Sequence, residues 1–326
     1  VVLMVQKLMR AKPGSLVLLD EPEYSLHPGA QKNLLRFLLK RSLTNKLQII
    51  FTTHSPSMIE GLPPSAIKVF ENTPLGRFKV FENRNVDEAF VSIGHTITDK
   101  AILRVEDFLA KAVAELVISS EFPGFSELID IQFYPGGTGK MKEDITTYSL
   151  ESFAKHIVLF DGDERKLDPA DPDKVSPSNR NNAFYDQQIK LCTGQPIKFF
   201  TDGGENGGRA DQMIDLQENY LRFWTQRVLF FPFNKLEAEF WDDAFCKKQL
   251  ADIMTDIETS AKMAEIAAAP AKKRFAILAD CLFNESRAKD IQNLQILFVK
   301  HWIRRRPHGY EQLVGLLSNI RDLPRF

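Results

Sequence analysis

The chain is short of several things, and each shortage excludes a class of protein. No apolar run approaches the roughly 18 residues that a membrane-spanning helix needs; residues 1–5 and 228–231 are brief apolar stretches. The only cysteines are Cys192, Cys246 and Cys281, too few and too scattered for a disulfide framework or a four-cysteine zinc site. A reducing, cytoplasmic setting is expected. Net charge is also nearly absent. The 42 basic and 43 acidic residues leave −1, which argues against a whole-surface polyanion binder but leaves room for a local basic face. No internal repeat or low-complexity tract occurs.

What is present is ordinary for a soluble globular protein. Hydrophobic residues make up 44% and charged residues 26%, so disorder and fibrous architecture do not describe the chain. Its 326 residues correspond to about two domains at roughly 150 residues each. The opening, VVLMVQKLMR, is neither a signal peptide nor an initiator-methionine start. Val1, Val5, Leu8 and Met9 follow helical spacing. The expectation is a chain that forms the C-terminal part of something longer.

Residues 15–19 (SLVLL) read as a strand buried on both faces of a parallel sheet. The strand ends in Asp20-Glu21-Pro22. Leu34, Leu35, Leu38 and Leu39 then mark a helical stripe within residues 31–42, with Pro28-Gly29 as its start. Residues 47–51 (LQIIF) read as a second buried strand, followed by Thr52-Thr53-His54-Ser55. This is a βαβ unit. Ligands in such sheets sit beyond the carboxyl ends of the strands, where Asp20, Glu21 and His54 fall. Asp20 would hold a nucleotide's Mg²⁺ through water. Glu21 would polarise the water attacking the γ-phosphate, and His54 would contact that phosphate. The plainer alternative is a solvated acidic turn with a core histidine.

The run LVLLDEPEYSLHP followed by FTTHSP is more specific than an isolated Asp-Glu pair. It resembles the Walker B, D-loop and switch-histidine region of ABC-type ATPases of the SMC-like branch, over residues 1–72. The resemblance implies an AAA or ABC-like ATPase. The phosphate-cradling pattern G-x-x-x-x-G-K-[ST] is absent. Gly136-Gly137-Thr138-Gly139-Lys140 comes nearest, but Met141 follows it and it lies downstream of Walker B. ATP binding and hydrolysis are therefore expected to need an upstream half.

After a transition over residues 61–100, with short edge strands near 67–70 and 78–81, a second α/β pattern begins. Residues 101–105 form a strand ending in Glu106. A helix follows, patterned by Phe108, Leu109, Ala112, Val113, Leu116 and Val117. Residues 129–134 form a strand closed by Pro135-Gly136-Gly137. Residues 156–160 (HIVLF) form a buried strand ending in Asp161-Gly162-Asp163-Glu164. In extended chain Asp161 and Asp163 face the same way, and Gly162 permits close backbone approach. Glu106, Asp161 and Asp163 would make a hard-oxygen site for Mg²⁺ or Mn²⁺. The plainer reading of Asp-Gly-Asp is a turn.

Order and spacing resemble the Toprim domain, and an SMC-like ATPase followed by Toprim resembles the OLD (overcoming lysogenization defect) nucleases. Relatives of that family include effectors of anti-phage defence. The resemblance implies a metal-dependent DNA endonuclease gated by an ATPase, with Glu106 as general base or metal ligand and Asp161 and Asp163 holding the metal. LFFPFNKLEAEFW is similar to the family's late element. It makes Glu237 a further metal ligand and Lys235 a catalytic, phosphate-stabilising residue. The alternative for both is an ordinary helix start. Two departures stand out. Asp107 follows Glu106 where the family has Gly, and Ala110 stands where OLD nucleases carry a second acid. Asp107 or Glu164 could be recruited instead. A topoisomerase would need an activated tyrosine, and Tyr134 carries no such mark.

Residues 164–182, polar and rich in Pro, Asp and Asn, read as a lid, a substrate-contacting insertion or a mobile loop. The Gly-rich residues 202–209 read as a flexible turn or a phosphate contact. From about residue 242 the chain is helical, with Pro270 splitting two helices. Lys300-His301-Trp302-Ile303-Arg304-Arg305-Arg306 is the most basic stretch. Arg304, Arg305 and Arg306 are candidates for a nucleic-acid backbone, or else a solvated helix end.

The expected architecture is thus α/β: a partial ABC-type ATPase sheet over residues 1–95, a Toprim, Rossmann-like domain over 96–241, and a small helical region over 242–326. Its expected partners are DNA, a second copy through the ATPase part and an accessory defence protein, with no membrane. Its cofactors are Mg²⁺ or Mn²⁺, and ATP together with the upstream half. The rival expectation is a degenerate Toprim protein serving as an ATP-responsive sensor or scaffold. A DNA-repair ATPase without nuclease function is a third.

Overall fold

The computed structural model describes residues 2–72, 78–82, 86, 88–89, 100–133, 136–151, 153–201, 209–284 and 286–323. The chain divides into two compact units, Val1–Thr98 and Asp99–Phe326. Among the described residues no helix is long and apolar enough to cross a membrane.

In the first unit, α1 (Val2–Arg10), β1 (Leu16–Leu19), α2 (Pro28–Asn45) and β2 (Gln48–Phe51) form the βαβ motif. The two strands pair in parallel, Leu16 with Gln48 through Leu19 with Phe51. Pro28 occupies the first turn of α2, and His27 caps it through Nδ1, which accepts from the Gly29 N–H at 3.3 Å. Leu8, Leu34, Leu38, Leu47 and Met58 form the core. The expectation of strands buried on both faces fails here. Leu16, Leu18 and Ile50 are 58%, 69% and 60% exposed. Alternate residues of β1 and β2 face the core, and nothing covers the other face among the described residues. The apolar run reported strand propensity correctly, but not a second covering layer. A separate antiparallel hairpin, β3 (Lys68–Asn72) with β4 (Phe78–Glu82), follows.

The second unit is built on four parallel strands: β5 (Ala101–Val105), β6 (Ile129–Phe133), β7 (His156–Phe160) and β8 (Val228–Phe230). Their order is β6-β5-β7-β8. Between them run α3 (Phe108–Glu121), the short α4 (Pro123–Ser126), α5 (Gly137–Glu151), α6 (Asn182–Thr193) and α7 (Ala210–Arg227). From β5 the chain crosses to β6 on one side and then returns past β5 to β7 on the other. Right-handed crossovers therefore put α3 and α5 on opposite faces. β7 is buried at every position. Phe160, Val158, Met141, Tyr185, Tyr220 and Trp224 are among the aromatic-rich core shared with α5, α6 and α7.

The helical end continues as α8 (Leu236–Phe240), α9 (Asp243–Ala251), α10 (Asp256–Ala268), α11 (Ala271–Phe283), α12 (Ala288–Arg305) and α13 (Gly309–Asp322). Pro270 separates α10 from α11. α12 packs along α3, so these helices lie in the same compact unit as the sheet.

The polar segment 164–182 is held down rather than loose. It forms two short 3₁₀ turns, Pro172–Lys174 and Pro177–Asn179. Pro172 is buried, Arg222 Nη2 meets Asp173 Oδ1 at 2.7 Å, and Gln188 accepts from the Ala170 N–H. Its polarity serves fixed hydrogen bonds, which composition does not distinguish from mobility. Tyr134 and residues 202–208 lie outside the described residues.

Candidate functional site

Both units place carboxylates at the carboxyl ends of parallel strands. In the first, Asp20 and Glu21 follow β1, and Thr52, Thr53 and His54 follow β2. Thr52 joins the two ends. Its hydroxyl donates to Asp20 Oδ1 at 2.5 Å and accepts from the Glu21 N–H at 3.1 Å. His54 Nε2 lies 3.4 Å from Glu21 Oε1, with both side chains largely open to solvent. Glu21 has φ +40°, a left-handed conformation that a non-glycine residue adopts only when its surroundings impose it. Sequence reasoning missed Glu23, which is buried. It accepts a very short bond from the Thr53 hydroxyl, and its Oε2 has no hydrogen-bond partner among the described residues. The signal available was the pairing of Glu23 with the second threonine of TTHSP.

In the second unit, β5 and β7 are the adjacent strands at which the chain reverses its direction across the sheet. This topological switch point is where open α/β sheets bind ligands. Glu106 leaves β5 and Asp161 leaves β7. They meet directly: Glu106 Oε1 accepts the Asp161 N–H at 2.9 Å. Burial pushes the Glu106 carboxyl up to about 7, with Glu164, Asp107 and Asp163 adding repulsion against the opposing Asp161 hydrogen bond. Burial likewise pushes Asp161 up to about 8, with repulsion from Glu106, Asp107, Glu237 and Asp163. Asp161 Oδ1 is buried without a hydrogen-bond partner among the described residues.

The stretch after β7 is not extended. Asp161 caps a 3₁₀ turn, Gly162–Glu164, so the argument that Asp161 and Asp163 share a strand face does not apply. They are neighbours because the turn folds back. Gly162 is indispensable for a different close approach than the one expected. A Cβ there would lie 2.4 Å from the Phe233 carbonyl oxygen and 2.8 Å from that of Phe231, and the Gly162 N–H donates to Phe233 O at 3.0 Å. The glycine docks the acidic turn onto the chain leaving β8. That chain carries Lys235, exposed, and Glu237, buried. Lys235 makes no ion pair among the described residues.

Three further residues are already engaged. Asp107 caps α3 by accepting from the Ala110 N–H at 2.9 Å, and Ala110 is fully buried. In the basic stretch, Arg305 pairs with Asp242. Arg306 Nη2 meets Glu121 Oε1 at 2.8 Å and lies over the Tyr310 ring. Arg304 is exposed and unpaired among the described residues.

The donor set at β5 and β7 is all carboxylate, which suits a hard divalent ion. The orphaned Asp161 oxygen and the mutual repulsion are what such an ion would relieve. Among the described residues, no three His, Cys, Asp or Glu are already gathered closely enough to grip one. The residues fit the charge and chemistry of Mg²⁺ or Mn²⁺.

Residues 3–60 are similar to the family described as "AAA domain, putative AbiEii toxin, Type IV TA system". The match supports an AAA/ABC-like ATPase domain here, and the matched segment contains Asp20, Glu21 and His54. No curated protein matches the chain.

Proposed function

We propose that the unit spanning residues 99–326 is a metal-dependent DNA endonuclease of the OLD type, with a Toprim-like site gated by the ATPase-like segment. The observation that carries this reading is the meeting of Glu106 and Asp161 at the switch point, with a buried Asp161 oxygen left unpartnered. Asp161 and Asp163 would hold Mg²⁺ or Mn²⁺, with Glu237 completing the set. The bound ion would polarise the attacking water and neutralise charge on the non-bridging and leaving oxygens. Glu106, whose Oε1 accepts the Asp161 N–H, would accept the proton. Lys235, free and exposed beside Glu237, meets phosphate charge. In the first unit, Asp20, Glu21 and His54 would serve a nucleotide's Mg²⁺, its attacking water and its γ-phosphate. Nucleotide state would then govern cleavage through a dimer of the ATPase part. Arg304, and an accessory protein in anti-phage defence, complete the proposed interactions.

A second reading is favoured by Ala110 and Asp107. One is apolar and buried, and the other is spent as a helix cap, so the centre lacks the second acid of a two-metal site. That supports a catalytically silent, ATP-responsive sensor. Incubating supercoiled plasmid with Mg²⁺, Mn²⁺ or EDTA separates the two. The nuclease predicts metal-dependent nicking that Asp161→Ala abolishes, using protein joined to a Walker A-containing half as well as this chain. Intact plasmid under every condition, with or without ATP, selects the sensor.

A further inference from the structure

Glu164 closes the acidic turn, yet its carboxylate is turned to another partner. Its Oε2 receives Lys142 Nζ at 2.6 Å. The same ammonium donates to the Thr193 carbonyl at 2.8 Å and lies 5.8 Å from the centroid of the Phe160 ring. Lys142 is 4% exposed. Burying a lysine side chain is costly unless counter-charge and acceptors replace its water. Both are provided here. Glu164 supplies the charge, and Thr193, in the last turn of α6, supplies a carbonyl at the negative end of a helix dipole. One ammonium therefore ties together α5, the turn after β7 and the end of α6. Lys142 lies in the helix Gly137–Glu151, where spacing alone marks a lysine as surface.

The location gives the tie a consequence. Glu164 follows Asp163 directly and is the largest source of charge repulsion on Glu106. Without Lys142 its charge would stand uncompensated beside the carboxylate cluster. We infer that Lys142 is a positioning residue that holds Glu164 away from the acidic centre, so that Glu106, Asp161, Asp163 and Glu237 alone offer oxygens to a divalent ion. The inference rests on the metal-dependent reading above. An added carboxylate grips a divalent ion harder, because ligand charge tunes affinity. It also fills a coordination position that substrate oxygen must enter.

Calorimetric titration with Mn²⁺ alone tests this on the wild type, Lys142→Met, Lys142→Met/Glu164→Gln and Glu164→Gln, with plasmid nicking measured in parallel. Lys142→Met should bind Mn²⁺ about tenfold tighter and nick about tenfold more slowly. Adding Glu164→Gln should return both values to wild type. A merely structural role would weaken binding and would not be rescued. Glu164→Gln alone leaves the buried ammonium without its counter-charge beside the cluster and should bind Mn²⁺ no more tightly than the wild type, so the inference stays testable even if Lys142→Met fails to fold. Equal affinity in the wild type and Lys142→Met, or tighter binding in Glu164→Gln, overturns the inference and leaves the nuclease reading intact. Binding by Lys142→Met but not by the wild type supports the positioning role and overturns the nuclease reading. No binding by any variant overturns both.

Discussion

The two acidic strand ends differ in how their charge is accommodated. At β1 and β2, the Thr52 hydroxyl donates to Asp20 and accepts from the Glu21 N–H, and the Glu21 carboxylate stands partly open to solvent beside His54. At β5 and β7, the half-buried Glu106 and Asp161 are joined by the Asp161 N–H, and both carboxyls are raised, chiefly by burial and then by repulsion from the surrounding acids. The first arrangement is closed by threonine hydroxyls and a strained Glu21. The second is left electrostatically incomplete. The same motif, carboxylates after parallel strands, therefore gives a hydrogen-bonded turn in one unit and a half-buried carboxylate cluster with an unpartnered oxygen, among the described residues, in the other.

Glycine substitutions should separate the units most sharply. Gly162→Ala forces a methyl into the Phe231 and Phe233 carbonyls and should lower the stability of the second unit by about 3 kcal/mol. Gly14→Ala, at φ +78° with nothing within 4 Å, should cost only about 1 kcal/mol in the first. Denaturant titration measures both. Next in size is a charge swap of opposite sign. In EDTA at neutral pH, Asp161→Asn removes a carboxylate whose folded pKa exceeds its unfolded value, so it should stabilise by about 1–3 kcal/mol. Asp20→Asn weakens the Thr52 bond and should destabilise by up to about 1 kcal/mol.

The pH dependence of stability contrasts the two ends of β7. His156, at its start, is held down to about 4 by burial and by Arg104 and Lys155, and stacks on Tyr148. Its contribution is complete above about pH 6.5 and is lost as pH falls towards 4. Asp161, just beyond the other end, works oppositely. Its contribution is complete below about pH 4 and is lost as pH rises through about 8. Thermal melts in EDTA should show both limbs, with His156→Phe flattening the acid limb and Asp161→Asn the alkaline one. The smallest effect belongs to the basic stretch. Arg304→Ala should reduce the salt dependence of DNA binding by about one counterion. Arg305→Ala should instead loosen the Asp242 contact, leaving the salt slope little changed.

Much of this was legible in the sequence because strand ends and turn residues are local signals. β1, α2, β2, β5, α3, β7 and the break at Pro270 follow from apolar spacing and helix-breaking chemistry. Apolar runs do not report whether a sheet is covered, which is why the exposed face of β1 and β2 was misread. Asp-Gly-Asp was legible as a turn or as a site, and it folds as a 3₁₀ turn that serves the cluster. Lys142, Thr52 and Glu23 were missed because their roles depend on partners 22, 32 and 30 residues away, beyond any helical or strand period.

The central claim is that positive charge belongs between Glu106 and Asp161. Crystals soaked in Mn²⁺ test it most directly, through the anomalous signal of the ion. The account predicts a peak about 2.2 Å from Asp161 Oδ1, shared with Glu106 or Asp163 and lost in Asp161→Asn. A map with no peak at the ends of β5 and β7, from crystals that bind Mn²⁺ elsewhere or not at all, would contradict it.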